Sequence, residues 1–197
     1  MKDASPRPTK GVAPNAAAKA RDPLAARTIA LVGMMGVGKT TIGRKLAAAL
    51  ELPFRDADAE IERAAGRSVV DIFAELGEAE FRRGERRVVA RLLAGKPHVL
   101  STGEGAFLDP DTRALMRERA LTVWLKADVA VLTERVTRRD TRPLINGHDA
   151  REVLTRLLAE RDPVYAEADV TVETVKRPPA SMARAVLAAM RAHAATG

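Results

Sequence analysis

The chain predicts an α/β fold, a parallel sheet with helices on both faces, and three observations carry that expectation. From Thr28 onward, short β-rich runs alternate with helical stretches. A glycine-rich turn, Gly33-Met-Met-Gly-Val-Gly-Lys-Thr40, joins the first such run to a segment of helical periodicity. The 197 residues suit a single domain with an ordinary core.

Residues 1–27 are rich in Ala, Pro and Lys, with prolines at 6, 8, 14 and 23, and show no apolar periodicity. They read as a flexible basic arm, a solvated tail rather than a signal or transit peptide. The domain proper is 28–197. Thr28-Ile-Ala-Leu-Val32 is the first strand, and Ile42, Leu46 and Leu50 after the turn share one helical face. Pro53-Phe-Arg-Asp56, His98 to Thr102, Leu121 to Leu125 and Asp169 to Glu173 are four further strand candidates, making five. Between them, Phe81, Val88, Val89 and Leu92 fall on one helical face, as do Met182, Val186 and Met190. Glu78 to Arg82 and Arg82 to Glu85 have the spacing of helical ion pairs.

Composition narrows the function. The net charge of +7 is concentrated in the arm, whose six Lys or Arg face only Asp3 and Asp22. The body is therefore only mildly basic and has few aromatics beyond Trp124 and Tyr165, so a nucleic-acid partner is not expected. No apolar stretch is long enough to span a bilayer, and no membrane partner is expected. The absence of cysteine excludes thiol chemistry and disulfides and fits a reducing, cytoplasmic location. His98, His148 and His193 are scattered and form no zinc spacing.

The strand–turn–helix around Gly33–Thr40 is the local structure that aims several backbone N–H groups at one anion. Gly33, Gly36 and Gly38 allow close phosphate approach, Lys39 reaches terminal phosphates, and the Thr40 hydroxyl is placed for magnesium. The chain is thus expected to bind a nucleoside triphosphate. Asp56 and Asp58, read as extended backbone, would share a face and address one ligand, with helix capping as the plainer alternative. Thr102-Gly-Glu-Gly-Ala106 follows the third strand, where glycines often mark close approach to a ligand. Arg135, Arg138, Arg139 and Arg142 precede Pro143-Leu-Ile-Asn-Gly147, a pattern fitting a charge-neutralising lid at about 138–149. Arg161 ends another helical stretch, and Lys176-Arg177 follow the fifth strand.

Together these features resemble shikimate kinase. The resemblance runs from about Thr28 to the C-terminal helix. It rests on Gly-Met-Met-Gly-x-Gly-Lys-Thr, Phe-x-Asp-x-Asp-x-x-Ile-Glu (Phe54 to Glu62) and Glu-x-x-Phe-Arg-x-x-Glu (Glu78 to Glu85). Arg-x-x-Arg-Arg-Asp-Thr-Arg-Pro-Leu (Arg135 to Leu144) and Glu-Arg-x-Pro-x-Tyr (Glu160 to Tyr165) complete it. The resemblance implies a five-stranded parallel sheet of the P-loop, nucleoside-monophosphate-kinase type, with a lid. It implies a monomeric enzyme of aromatic amino-acid biosynthesis that phosphorylates shikimate at its 3-hydroxyl, using ATP and magnesium and releasing shikimate 3-phosphate and ADP.

By position, the resemblance implies that Gly36, Val37, Gly38, Lys39, Thr40 and Thr41 bind ATP, with Arg142 on the phosphates and Arg135 and Arg177 around adenine. Thr40 and Asp56 would hold magnesium. Asp58 would bind the reacting hydroxyl and is the candidate base, with Lys39 and Arg142 as the other catalytic groups. Arg82, held by Glu85, and Arg161 would grip the substrate carboxylate, beside Gly103, Glu104 and Gly105. The family pattern there is Gly-Gly-Gly. A carboxylate at 104 either turns away or pairs with an arginine, or it weakens shikimate binding. It leaves two alternatives: a related kinase of another hydroxy acid, such as a gluconate-like one, and a catalytically degenerate ligand sensor.

Overall fold

A computed structural model describes residues 22–137 and 149–196. The arm up to residue 21 and nearly all of the lid segment, Arg138, Arg139 and Arg142 included, lie outside the described residues.

Five parallel strands form one sheet: β1 (Thr28–Val32), β2 (Phe54–Asp56), β3 (Val99–Ser101), β4 (Ala120–Lys126) and β5 (Val170–Glu173), in the order β2-β3-β1-β4-β5. All five expected strands are present, within a residue or two at each end. The described helices are α1 (Lys39–Leu50), α2 (Ala57–Ala65), α3 (Val69–Leu93), α4 (Pro110–Arg119), α5 (Val129–Thr137), α6 (Ala150–Tyr165) and α7 (Pro179–Thr196). None of them is long and apolar enough to cross a membrane.

Strand order dictates where the helices go. The connection β1-α1-β2 runs toward one edge, whereas β2-β3, β3-β4 and β4-β5 all run toward the other. Right-handed crossovers then place α1 on one face and α2 to α6 on the opposite face. The contacts agree: α1 packs with α7, α3 with α4, and α5 with α6. Central β1 is sandwiched, and all five of its residues are buried.

Helix periodicity becomes packing as expected. Ile42, Leu46 and Leu50 of α1, and Met182, Val186 and Met190 of α7, are all buried in the main core. On α3 the apolar face divides between two cores. Val89 and Leu93 join the main one, while Phe81 and Val88 close a satellite with Ile61 and Ile72. A break at Gly77 (φ 78°, ψ 170°) redirects α3 one turn before Phe81, a conformation that favours glycine.

The end of the arm is tied to the body. Asp22 caps the turn Pro23–Ala26 and accepts a bond from Arg191 of α7 at 2.6 Å. Arg27 donates to the Ala120 carbonyl at 2.7 Å.

Candidate active site

The turn leaving β1 enters α1 at Lys39, so the unpaired amides of a helix N-terminus face the loop. Gly33 has φ 129°, and a Cβ there would stand 2.5 Å from the Leu125 carbonyl oxygen of β4. No other residue fits that position. Lys39 arches over the loop and donates to the Gly33 and Met34 carbonyls at 2.7 and 3.1 Å. Arg135 of α5 braces it from outside, donating to the Val37 carbonyl at 3.0 Å and the Gly36 carbonyl at 3.4 Å. Its other terminal nitrogen reaches the Val175 carbonyl at 3.4 Å, which brings the turn carrying exposed Arg177 alongside.

The Thr40 hydroxyl donates to Asp56 at 2.8 Å and lies 3.3 Å from the Ser101 hydroxyl. Asp56 and Ser101 are register partners at the carboxyl ends of β2 and β3, beside the P-loop. These are hard oxygen donors, the chemistry that suits magnesium. Among the described residues no group of three or more His, Cys, Asp or Glu could hold a metal. A cation here would have to complete its shell with water and phosphate, as magnesium ordinarily does.

The expected shared face of Asp56 and Asp58 is corrected by the backbone. Asp56 closes β2 as the N-cap of α2, and Asp58 already lies in the first turn of that helix. Asp56 makes no side-chain cap; its carboxylate turns to Thr40 instead. Asp58 is exposed to solvent, yet crowding by nearby protein raises its carboxyl above the ordinary range, and neighbouring Asp56 raises it further. Glu104 adds to this, while Lys39 opposes it.

Both helical ion pairs expected at Arg82 form. Its guanidinium meets Glu85 at 2.7 Å and Glu78 at 3.3 Å. Glu85 is almost wholly enclosed, and burial lifts its carboxyl above the usual range even against the opposing pull of Arg82. Burial disfavours the Arg82 charge, but Glu85 and Glu78 outweigh it and keep the group firmly protonated.

Gly103 and Gly105 allow this cluster to close. A methyl group at 103 would overlap the Glu85 carboxylate, and one at 105 would overlap the Arg82 guanidinium. Glu104, between them, points elsewhere: its carboxylate pairs with Arg161 of α6 at 3.2 Å. Of the outcomes open at residue 104, arginine pairing is the one that occurs. A cavity of about 310 Å³ is lined by Arg82, Arg161, Glu85 and Gly105 together with Arg86 and Asp109.

Three contributors were not singled out from sequence. Ser101 is the serine ending β3, visible only once β2 and β3 pair in register. Met34 lies with its sulfur 3.9 Å from Arg161. Tyr165, buried at the end of α6, donates to the Glu104 carbonyl at 2.6 Å and fixes the loop between the glycines. Its membership of the Pro-x-Tyr run was the available signal.

A family model described as shikimate kinase matches residues 35–191. A shikimate kinase of Caulobacter vibrioides (strain NA1000 / CB15N) is 60% identical over 173 residues, covering 87% of this chain and 86% of that protein. A solved shikimate kinase from Acinetobacter baumannii, in complex with shikimate, is similar with a TM-score of 0.82 and 37% identity, covering 86% of this chain and 95% of that one. A gluconokinase from Sinorhizobium meliloti, 21% identical with a TM-score of 0.60 over 87% of this chain and 95% of that one, is similar in fold alone.

Proposed function

Because this chain belongs to the shikimate kinase family, we propose that it transfers the γ-phosphoryl group of ATP to the 3-hydroxyl of shikimate. The products are ADP and shikimate 3-phosphate, in aromatic amino-acid biosynthesis. The observation that carries the reading is the placement of Arg82 and Arg161 on one cavity. Two guanidinium groups from separate helices offer the planar donors that a small carboxylate substrate requires.

Each group then has a task. The loop amides from Gly36 to Thr41 and the Lys39 ammonium hold the phosphates and neutralise charge that builds up in transfer. Thr40 and Asp56 would hold magnesium, Asp56 through water; bound there, the ion neutralises phosphate charge and orients the terminal group. Asp58 accepts the proton of the attacking hydroxyl, and its raised carboxyl makes it a better acceptor than an ordinary aspartate. Gly103 and Gly105 present backbone to the substrate. Arg142, outside the described residues, contacts phosphate from the lid, and Arg135 and Arg177 border adenine. Water exclusion by the lid protects ATP from hydrolysis. We assign the enzyme to the cytoplasm as a monomer that binds neither nucleic acid nor membrane. The lack of cysteine and the mild charge of the body support that assignment.

The test is ADP release measured with ATP, magnesium and a panel of hydroxy acids. Shikimate should be the preferred acceptor, and Asp58→Ala should reduce turnover by about 100-fold or more. Release that ignores shikimate, or that prefers a gluconate-like acid, would overturn the reading.

A further inference from the structure

Glu104 is the one residue of the Gly103–Glu104–Gly105 loop that carries a side chain, and its surroundings are held firmly. Tyr165, fully buried, grips its carbonyl. Its backbone is outside the left-handed region, since among the described non-glycine residues only Glu51 has a positive φ of that kind. A side chain at 104 therefore costs no backbone strain. It reaches Arg161 at 3.2 Å, with side chains only 18% and 16% exposed.

The pairing is incomplete. One Glu104 oxygen meets the guanidinium; the other, Oε2, is buried without a hydrogen-bond partner. The Arg161 guanidinium also lies against the Tyr165 hydroxyl and 3.9 Å from the Met34 sulfur, a weak acceptor. A buried oxygen left unsatisfied lowers the worth of the pair. Asp58 and Glu85, both acidic, stand on the Gly103 side of the same loop. The Glu104 carboxylate is thus bound tightly enough to occupy Arg161, but loosely enough to be exchanged.

We propose that Glu104 is a specificity-determining gate: a tethered carboxylate that occupies Arg161 until an acceptor bringing its own carboxylate displaces it. This rests on the reading that Arg161 grips the acceptor carboxylate. A neutral polyol has no charge to exchange for the pair and is turned away. An acidic acceptor succeeds, at the cost of competing with a neighbour that never diffuses off. The apparent affinity falls by the fraction of molecules in which Arg161 is already taken.

Three forms of the full chain test it: wild type, Glu104→Gln and Glu104→Gly. Shikimate kinetics are measured at saturating ATP and magnesium, and binding of benzoate, a bare carboxylate probe, is measured by calorimetry. Both variants should lower the shikimate KM by about three- to tenfold, with a smaller change in kcat. Both should tighten benzoate binding by a similar factor. An unchanged or raised KM in both, or a fall in Glu104→Gly alone, overturns the gate; the last result would mark obstruction by bulk rather than charge. If no form turns over shikimate while Glu104→Gln still tightens benzoate, the gate stands and the acceptor assignment falls. If benzoate binding is also unmoved, both fall.

Discussion

The Arg82 guanidinium rests on the Glu85 carboxylate at 2.7 Å, and Glu85 has almost no solvent of its own. The arginine that faces the cavity is thereby the counter-ion of a buried acid.

Arg82→Ala should accordingly damage stability as well as binding. Leaving Glu85 unpaired costs about 3 kcal/mol at neutral pH and above. The pH dependence has a defined sign. Glu85 has a folded value raised above its unfolded one, so its contribution is fully present below the ordinary glutamate range and is lost as pH rises through the folded value. Removing Arg82 raises that value further and deepens the loss. Urea titrations at pH 5 and pH 8 should show the larger deficit at pH 8; an equal deficit would contradict this account.

Thr40→Val removes a hydroxyl that lies between Asp56 and Ser101 while keeping the shape of the side chain. Turnover should fall on the order of 100-fold, with a raised magnesium requirement. Ser101→Ala should cost only about fivefold, the worth of one ordinary hydrogen bond. Magnesium titrations of initial rate distinguish the two variants.

The raised carboxyl of Asp58 sets the acid limb of the rate profile. Activity should disappear as pH falls through that raised value, because the protonated form cannot accept the hydroxyl proton. Crowding by nearby protein is the main cause and Asp56 the next, but Glu104 contributes in the same direction. Glu104→Gln should therefore move the acid limb of kcat/KM to lower pH. A limb that stays put would mean that Glu104 and Asp58 are electrically independent.

Gly105→Ala should act through Arg82. The added methyl group overlaps the guanidinium, and overpacking of this kind costs about 1–3 kcal/mol. The shikimate KM should rise by about tenfold or more as Arg82 is pushed off its position, while ATP-site occupancy changes little. Gly84→Ala is the control, since nothing lies within 4 Å of a Cβ there. Equal KM values for the two variants would sink the steric argument.

Much of this architecture was legible because it is written in local patterns. Short β-rich runs located every strand, and helical periodicity located the buried faces of α1 and α7. The Glu78–Arg82–Glu85 ladder was readable because helical spacing alone brings those groups together. The Asp56–Asp58 relationship was misread for the complementary reason. An aspartate can end a strand or cap a helix, and here Asp56 does both, so the two-residue alternation fails at that point.

By itself the sequence determined the strand–turn–helix that cradles an anion, the order of strands and helices, and the residue types at each end of the cleft. These depend on backbone sterics, local spacing and apolar patterning, all of which act over a few residues. Only the tertiary structure decided that Ser101 joins Thr40 and Asp56, that Tyr165 anchors the glycine loop, and that Glu104 takes Arg161. Those outcomes depend on strand register and on the packing of α6, whose Leu154, Leu157 and Tyr165 are buried in the main core. Groups far apart in the chain meet there because burying apolar faces leaves the helices few ways to pack.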